Sequence, residues 1–199
     1  MKARHNPFRA ERVLQVRFRL DAIKPNLSWE ALTTRLEALD WRGALVGPEG
    51  SGKTTLLEDL EAPLTARGLR VRHLRLSREA PSFAPGFLAQ FYDSLMPNDC
   101  VLFDGAEQMS RLAWRRFERE SRRAAGLVVT THRAGLLPAL AQCQTSPQLL
   151  RAILVQLLGD DAAQWDDEIE TLWARHDGNL RLALRELYDV YAGMPDDAS

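Results

Sequence analysis

At 199 residues the chain is long enough to bury a proper core, as one domain or one domain with a small appendage. Its 45% hydrophobic and 27% charged content excludes a disordered polymer, and no apolar run approaches the ~20 residues needed to cross a bilayer. The formal net charge of −1 argues against a uniformly basic nucleic-acid binder.

The charge is unevenly placed. Met1 to Lys24 carries seven Lys or Arg against Glu11 and Asp21, whereas Gly159 to Ser199 carries eleven Asp or Glu against Arg175, Arg181 and Arg185. Such ends either attract each other, attract the matching ends of a second copy, or stay separately solvated. The opening MKARHNPFRAERVLQ is basic with no apolar stretch behind it, which argues against a secretory signal. Cys100 and Cys143 have neither metal-ligand nor disulfide-framework spacing, and suit buried free thiols in a reducing cytoplasm.

After the basic arm (1–26), LSWEALTTRLEALD reads as a helix capped by Ser28, with Leu32, Leu36 and Leu39 on one face. WRGALVG is a short apolar strand ending in glycine. TTLLEDLEAPLTARG reads as a helix stopped by Gly68, and LRVRHLRLS as an arginine-studded edge strand. FAPGFLAQFYDSLMP predicts a helix and CVLFDG a buried strand. SRLAWRRFERESRRAA is a basic helix, GLVVTTH a buried strand, and LAQCQT a last strand. From Ser146 only helices are expected, over 146–158, 166–176 and 179–192. Apolar strands alternating with helices predict a three-layer α/β core with a parallel sheet over 27–145. A small all-helical lid follows over 146–192, and then a tail over 193–199.

Gly47-Pro48-Glu49-Gly50-Ser51-Gly52-Lys53-Thr54 matches GxxxxGK[ST]. Glycines let the backbone curl so that N–H groups point at phosphate oxygens, and the helix that follows adds its positive end. Lys53 would reach the β- and γ-phosphates, the Thr54 hydroxyl would ligate Mg²⁺, and Thr55 completes the loop's ligand set. The bound molecule is expected to be a nucleoside triphosphate.

VLFDGAEQM places Asp104 at a strand end facing that loop, where it would hold Mg²⁺ through water. Hydrolysis needs a further carboxylate to orient the attacking water, commonly the next residue, and here that residue is Gly105. Glu107 is the nearest carboxylate: it either turns in towards the γ-phosphate through Gly105-Ala106 or caps the next helix. GLVVTTH ends in polar residues, of which Thr131 or His132 would face the γ-phosphate according to strand register. Arg181 falls in the first turn of the last helix, where it would couple the triphosphate to lid movement.

With these elements in order, the chain resembles an AAA+ or STAND-type P-loop ATPase from about Trp41 to Tyr191, most strongly in GPEGSGKT, VLFDGAEQ and DGNLRLALREL. The resemblance implies strand order 5-1-4-3-2, ATP rather than GTP, and sensor roles for Thr131 and Arg181. It also implies adenine held near Asn6-Pro7-Phe8. Two departures stand out. Gly105 replaces the usual glutamate, and only Arg133 lies in the short stretch that normally presents an arginine finger to a neighbour, which argues against ring assembly.

The expectation is a Mg²⁺-dependent, ATP-binding cytoplasmic protein that hydrolyses ATP slowly. The alternative is a nucleotide-gated switch that holds ATP without turning it over. The kinase reading lacks an arginine-rich lid, the GTPase reading lacks NKxD, and the ABC reading lacks LSGGQ. Arg111, Arg115, Arg119 and Arg122 form a stripe at helical spacing. Glu118 and Glu120 interrupt it, so a protein partner, including another copy, is favoured over nucleic acid.

Overall fold

A computed structural model of the chain describes residues 6–13, 16 and 28–193, so most of the basic arm and the 194–199 tail lie outside the described residues. The chain divides into two compact units.

The first unit spans 28–48 and 52–143 among the described residues. Its sheet contains β1 (Arg42–Val46), β2 (Arg70–Arg75), β3 (Asp99–Asp104), β4 (Gly126–Thr131) and β5 (Ala139–Gln142). These five strands run parallel in the order β2-β3-β4-β1-β5, which is the expected 5-1-4-3-2 read from the other edge. The strands are apolar on both faces because helices cover both. On one side Ala44, Val46, Val101, Phe103, Leu127 and Val129 pack with Phe91, Tyr92, Trp114 and Phe117. Those aromatics come from helices Phe87–Asp93 and Arg111–Glu120. The other side is covered by helices Trp29–Ala38, Lys53–Asp59 and Glu61–Thr65, which contribute the buried Leu32, Leu36, Leu56, Leu57 and Leu64.

Local chemistry sets the element ends. Ser28 accepts the Ala31 N–H at 3.0 Å, and the chain stays right-handed through Leu60, so Lys53–Thr65 runs on as one two-part helix. The helix expected over FAPGFLAQFYDSLMP is shorter than its periodicity suggests: Gly86 takes φ +79° and helical geometry begins at Phe87. The basic helix likewise ends at Glu120 and tightens into a 3-10 turn, Ser121–Arg123.

The second unit takes in 144–193, the loop tip Glu49–Ser51, and residues 6–13 and 16. Its helices are Pro147–Leu158, Ile169–Arg175 and Leu180–Gly193, with a 3-10 stretch, Gly159–Trp165, that sequence periodicity does not foresee. Ser146 caps the first of these helices with Pro147 behind it, and Leu149, Leu150, Ile153, Leu154 and Leu157 fall on its buried face. The Asn6-Pro7-Phe8 segment is part of this core: Asn6 donates to Tyr188 O at 2.9 Å, and the Phe8 ring packs edge-on against Tyr191.

Candidate phosphate-binding site

All parallel strands of a sheet end on one side, and that edge gathers the polar residues of the first unit. The Gly47 N–H donates to Thr131 O at 3.1 Å, pinning the start of the glycine loop to the end of β4. Gly50 and Gly52 both take left-handed dihedrals, φ +75° and +79°, which a loop of inward N–H groups requires. Gly50 has a second reason to be glycine, since a Cβ there would lie 2.1 Å from Asn179 Oδ1 within the helical unit.

Lys53, at the first position of its helix, is buried and donates through Nζ to Gly47 O at 2.7 Å and Pro48 O at 2.6 Å. Its charge is felt by Cys143. Burial pushes that thiol up to about 11, although the ammonium pulls the other way. Thr54, one residue on, places Oγ1 3.1 Å from both carboxylate oxygens of Asp104. Asp104 is the last residue of β3 and is embraced from two more sides. Thr130 donates to Oδ1 at 2.7 Å, and Arg75 Nε lies 3.6 Å from Oδ2.

The residue after Asp104 explains why no carboxylate stands there. Gly105 has φ +82°, and a Cβ on it would come within 2.2 Å of Leu76 O. The backbone of Leu76, the residue after β2, therefore closes that position to any side chain. A single 3-10 turn, Ala106–Gln108, follows and brings Glu107 Oε1 to 3.3 Å from His132 Nε2. Glu107 does not cap the next helix; Ser110 does, accepting the Ala113 N–H at 3.3 Å. The other oxygen of Glu107 is buried without a hydrogen-bond partner.

Of the two residues offered at the end of β4, Thr131 donates its hydroxyl to Arg133 O at 2.8 Å, and His132 Nε2 lies against Glu107 Oε1. The polar contact to Asp104 comes from Thr130, one residue earlier, which also accepts the Gly105 N–H at 2.8 Å. The signal was the parallel register: Phe103 pairs with Val129, so the next residues, Asp104 and Thr130, fall side by side. In sequence Arg75 is one of the arginines of an edge strand, and register sets it opposite Asp104. Arg181 lies exposed in the first turn of the last helix, in the other unit.

The donor set fits a magnesium–triphosphate. One carboxylate, one hydroxyl and phosphate oxygens are what Mg²⁺ takes, and among the described residues no group of three His, Cys, Asp or Glu side chains would hold a metal alone. Ser51 Oγ, buried in the loop without a hydrogen-bond partner, is a donor that a phosphate oxygen would complete. No protein-family model matches the chain, and no curated protein matches it in sequence. Among the described residues no helix is long and apolar enough to cross a membrane.

Proposed function

We propose that the chain is a Mg²⁺-dependent ATP-binding P-loop protein of the AAA+ or STAND type that hydrolyses ATP slowly. One observation carries this reading: a GxxxxGK[ST] loop whose Thr54 hydroxyl lies 3.1 Å from both oxygens of a strand-end aspartate. The loop residues Gly47 to Lys53 would cradle the phosphates, and Thr54 and Asp104 would hold the metal, Asp104 through water. Mg²⁺, when bound, supplies neutralising charge on the phosphate oxygens. Glu107, oriented by His132 at 3.3 Å, is the group to position a water and accept its proton. Arg181 would report the γ-phosphate to the helical unit.

The alternative, a switch that grips ATP without cleaving it, is favoured by Gly105, where backbone geometry excludes the usual carboxylate. Single-turnover hydrolysis with a parallel binding assay separates the two. Lys53→Ala should lose binding by roughly tenfold or more, as removal of a buried phosphate contact does. Glu107→Gln should keep binding and lose hydrolysis by ~100-fold. Tight binding with equal inertness of the wild type and Glu107→Gln supports the switch. Absence of nucleotide binding by the wild type overturns both readings.

A further inference from the structure

The glycine loop starts at Gly47 and ends at Lys53 in the first unit, but its tip, Glu49–Ser51, counts with the helical unit. Within that unit the tip meets one side chain above all. A Cβ on Gly50 would stand 2.1 Å from Asn179 Oδ1 and 2.7 Å from Asn179 Cγ, with the Leu180 backbone nitrogen next at 3.3 Å. The bare Cα of Gly50 therefore lies against the Asn179 carboxamide, with no room between them for even a methyl group.

Asn179 is itself held firmly. The turn before it carries two left-handed residues, Asp177 at φ +49° and Gly178 at φ +74°. Gly178 is packed so closely that a Cβ on it would come within 2.6 Å of Thr145 Oγ1, and Trp173 Nε1 donates to that same hydroxyl at 3.3 Å. The Asn179 N–H donates to His176 O at 2.8 Å. Its Oδ1 accepts the Leu182 N–H at 3.2 Å and so caps helix Leu180–Gly193. A carboxamide fixed at both backbone and side chain is a rigid stop for whatever rests on it.

We propose that Asn179 is a positioning residue for the phosphate loop. Its carboxamide braces Gly50 in the left-handed conformation, φ +75°, that turns the loop's N–H groups inward. The inference rests on the reading of that loop as a nucleotide site. The role differs from that expected of Arg181, which would meet the γ-phosphate itself, because Asn179 touches the loop and no ligand. A loop held ready in its curl has less ordering to undergo when phosphate arrives, so loss of the brace should appear as weaker nucleotide affinity.

The test is a double-variant cycle on the full chain, read by titration with a fluorescent ATP analogue and Mg²⁺, with urea unfolding of each protein alongside. Asn179→Ser keeps a capping hydroxyl but withdraws the carboxamide from Gly50. It should unfold near the wild-type midpoint yet bind nucleotide about three- to tenfold more weakly. Asn179→Ala should bind as weakly and also lose stability, since the cap goes too. Gly50→Ala should weaken binding by about tenfold or more on its own, and by about threefold less when Asn179→Ser has already made room. Losses that simply multiply, or an Asn179→Ser protein that binds like wild type, overturn the proposal and leave the nucleotide site standing. A wild type that binds no nucleotide overturns the site and the proposal together.

Discussion

The hydroxyl of Thr130 accepts the Gly105 N–H at 2.8 Å and donates to Asp104 Oδ1 at 2.7 Å, on a residue only 1% exposed. It therefore fixes both the aspartate and the turn that leads to Glu107. Thr130→Val keeps the shape and removes both bonds, leaving a buried N–H and a carboxylate oxygen short of a partner. The expected cost is about 1–3 kcal/mol in denaturant unfolding. A weaker Mg²⁺ dependence of nucleotide binding should accompany it. Thr131→Val, which breaks only the local bonds to the Arg133 backbone, should leave nucleotide binding near wild type. The reverse pattern in a fluorescent-nucleotide titration would assign the strand-end role to Thr131 after all.

Among the elements, the edge strand β2 is fastened to β3 by one buried carboxylate. Asp99, with no exposed side-chain surface, accepts a two-pronged bond from Arg70, a contact from Arg72 at 3.4 Å and the Met96 N–H at 2.9 Å. Burial alone would raise its pKa. The bonds from Arg70 and Met96 and the charges of Arg70 and Arg72 together outweigh burial and hold it below 3.8. The folded value is the lower one, so the stabilisation is complete above about pH 4 and disappears as pH falls through that folded value. Asp99→Asn should cost ~1–3 kcal/mol at neutral pH, towards the lower end because Arg70 is half exposed, and should flatten the acid limb of the stability curve. Urea unfolding at neutral and acid pH measures both.

At this scale the strands were legible, because runs such as CVLFD and GLVVT are apolar on both faces and bounded by glycine. Lys53, Thr54 and Asp104 were legible because a contiguous motif or a strand end carries them. Thr130 and Arg75 were not, because their place depends on which residues pair across the sheet, and a shift of one residue reverses the face. The helix at Phe87 is shorter than its sequence suggests because apolar spacing continues through a proline and glycine that the backbone does not traverse as helix.

Among the described residues each unit has its own buried apolar packing. Phe8, 4% exposed, belongs to that of the helical unit although some 140 residues of sequence separate it from Leu149. Asn6-Pro7-Phe8 is thus a strap on this unit, with the Phe8 and Tyr191 rings meeting in a T-shaped contact. Phe8→Ala should cost about 3–5 kcal/mol. Hydrogen exchange should quicken in helices Pro147–Leu158 and Leu180–Gly193 while the five strands keep their protection. Uniform quickening across both units would mean that the chain unfolds as one cooperative body.

The two thiols, Cys100 held at about 12 and Cys143 at about 11, are each no more than 1% exposed. Native protein should therefore ignore alkylating reagents, and every labelling event must record a moment of opening. Their positions differ: Cys143 feels the charge of Lys53, and Cys100 lies near the start of β3, beside Gly126 of β4. The chain thus carries two built-in clocks, one timing excursions beside the loop lysine and the other timing rupture of the sheet.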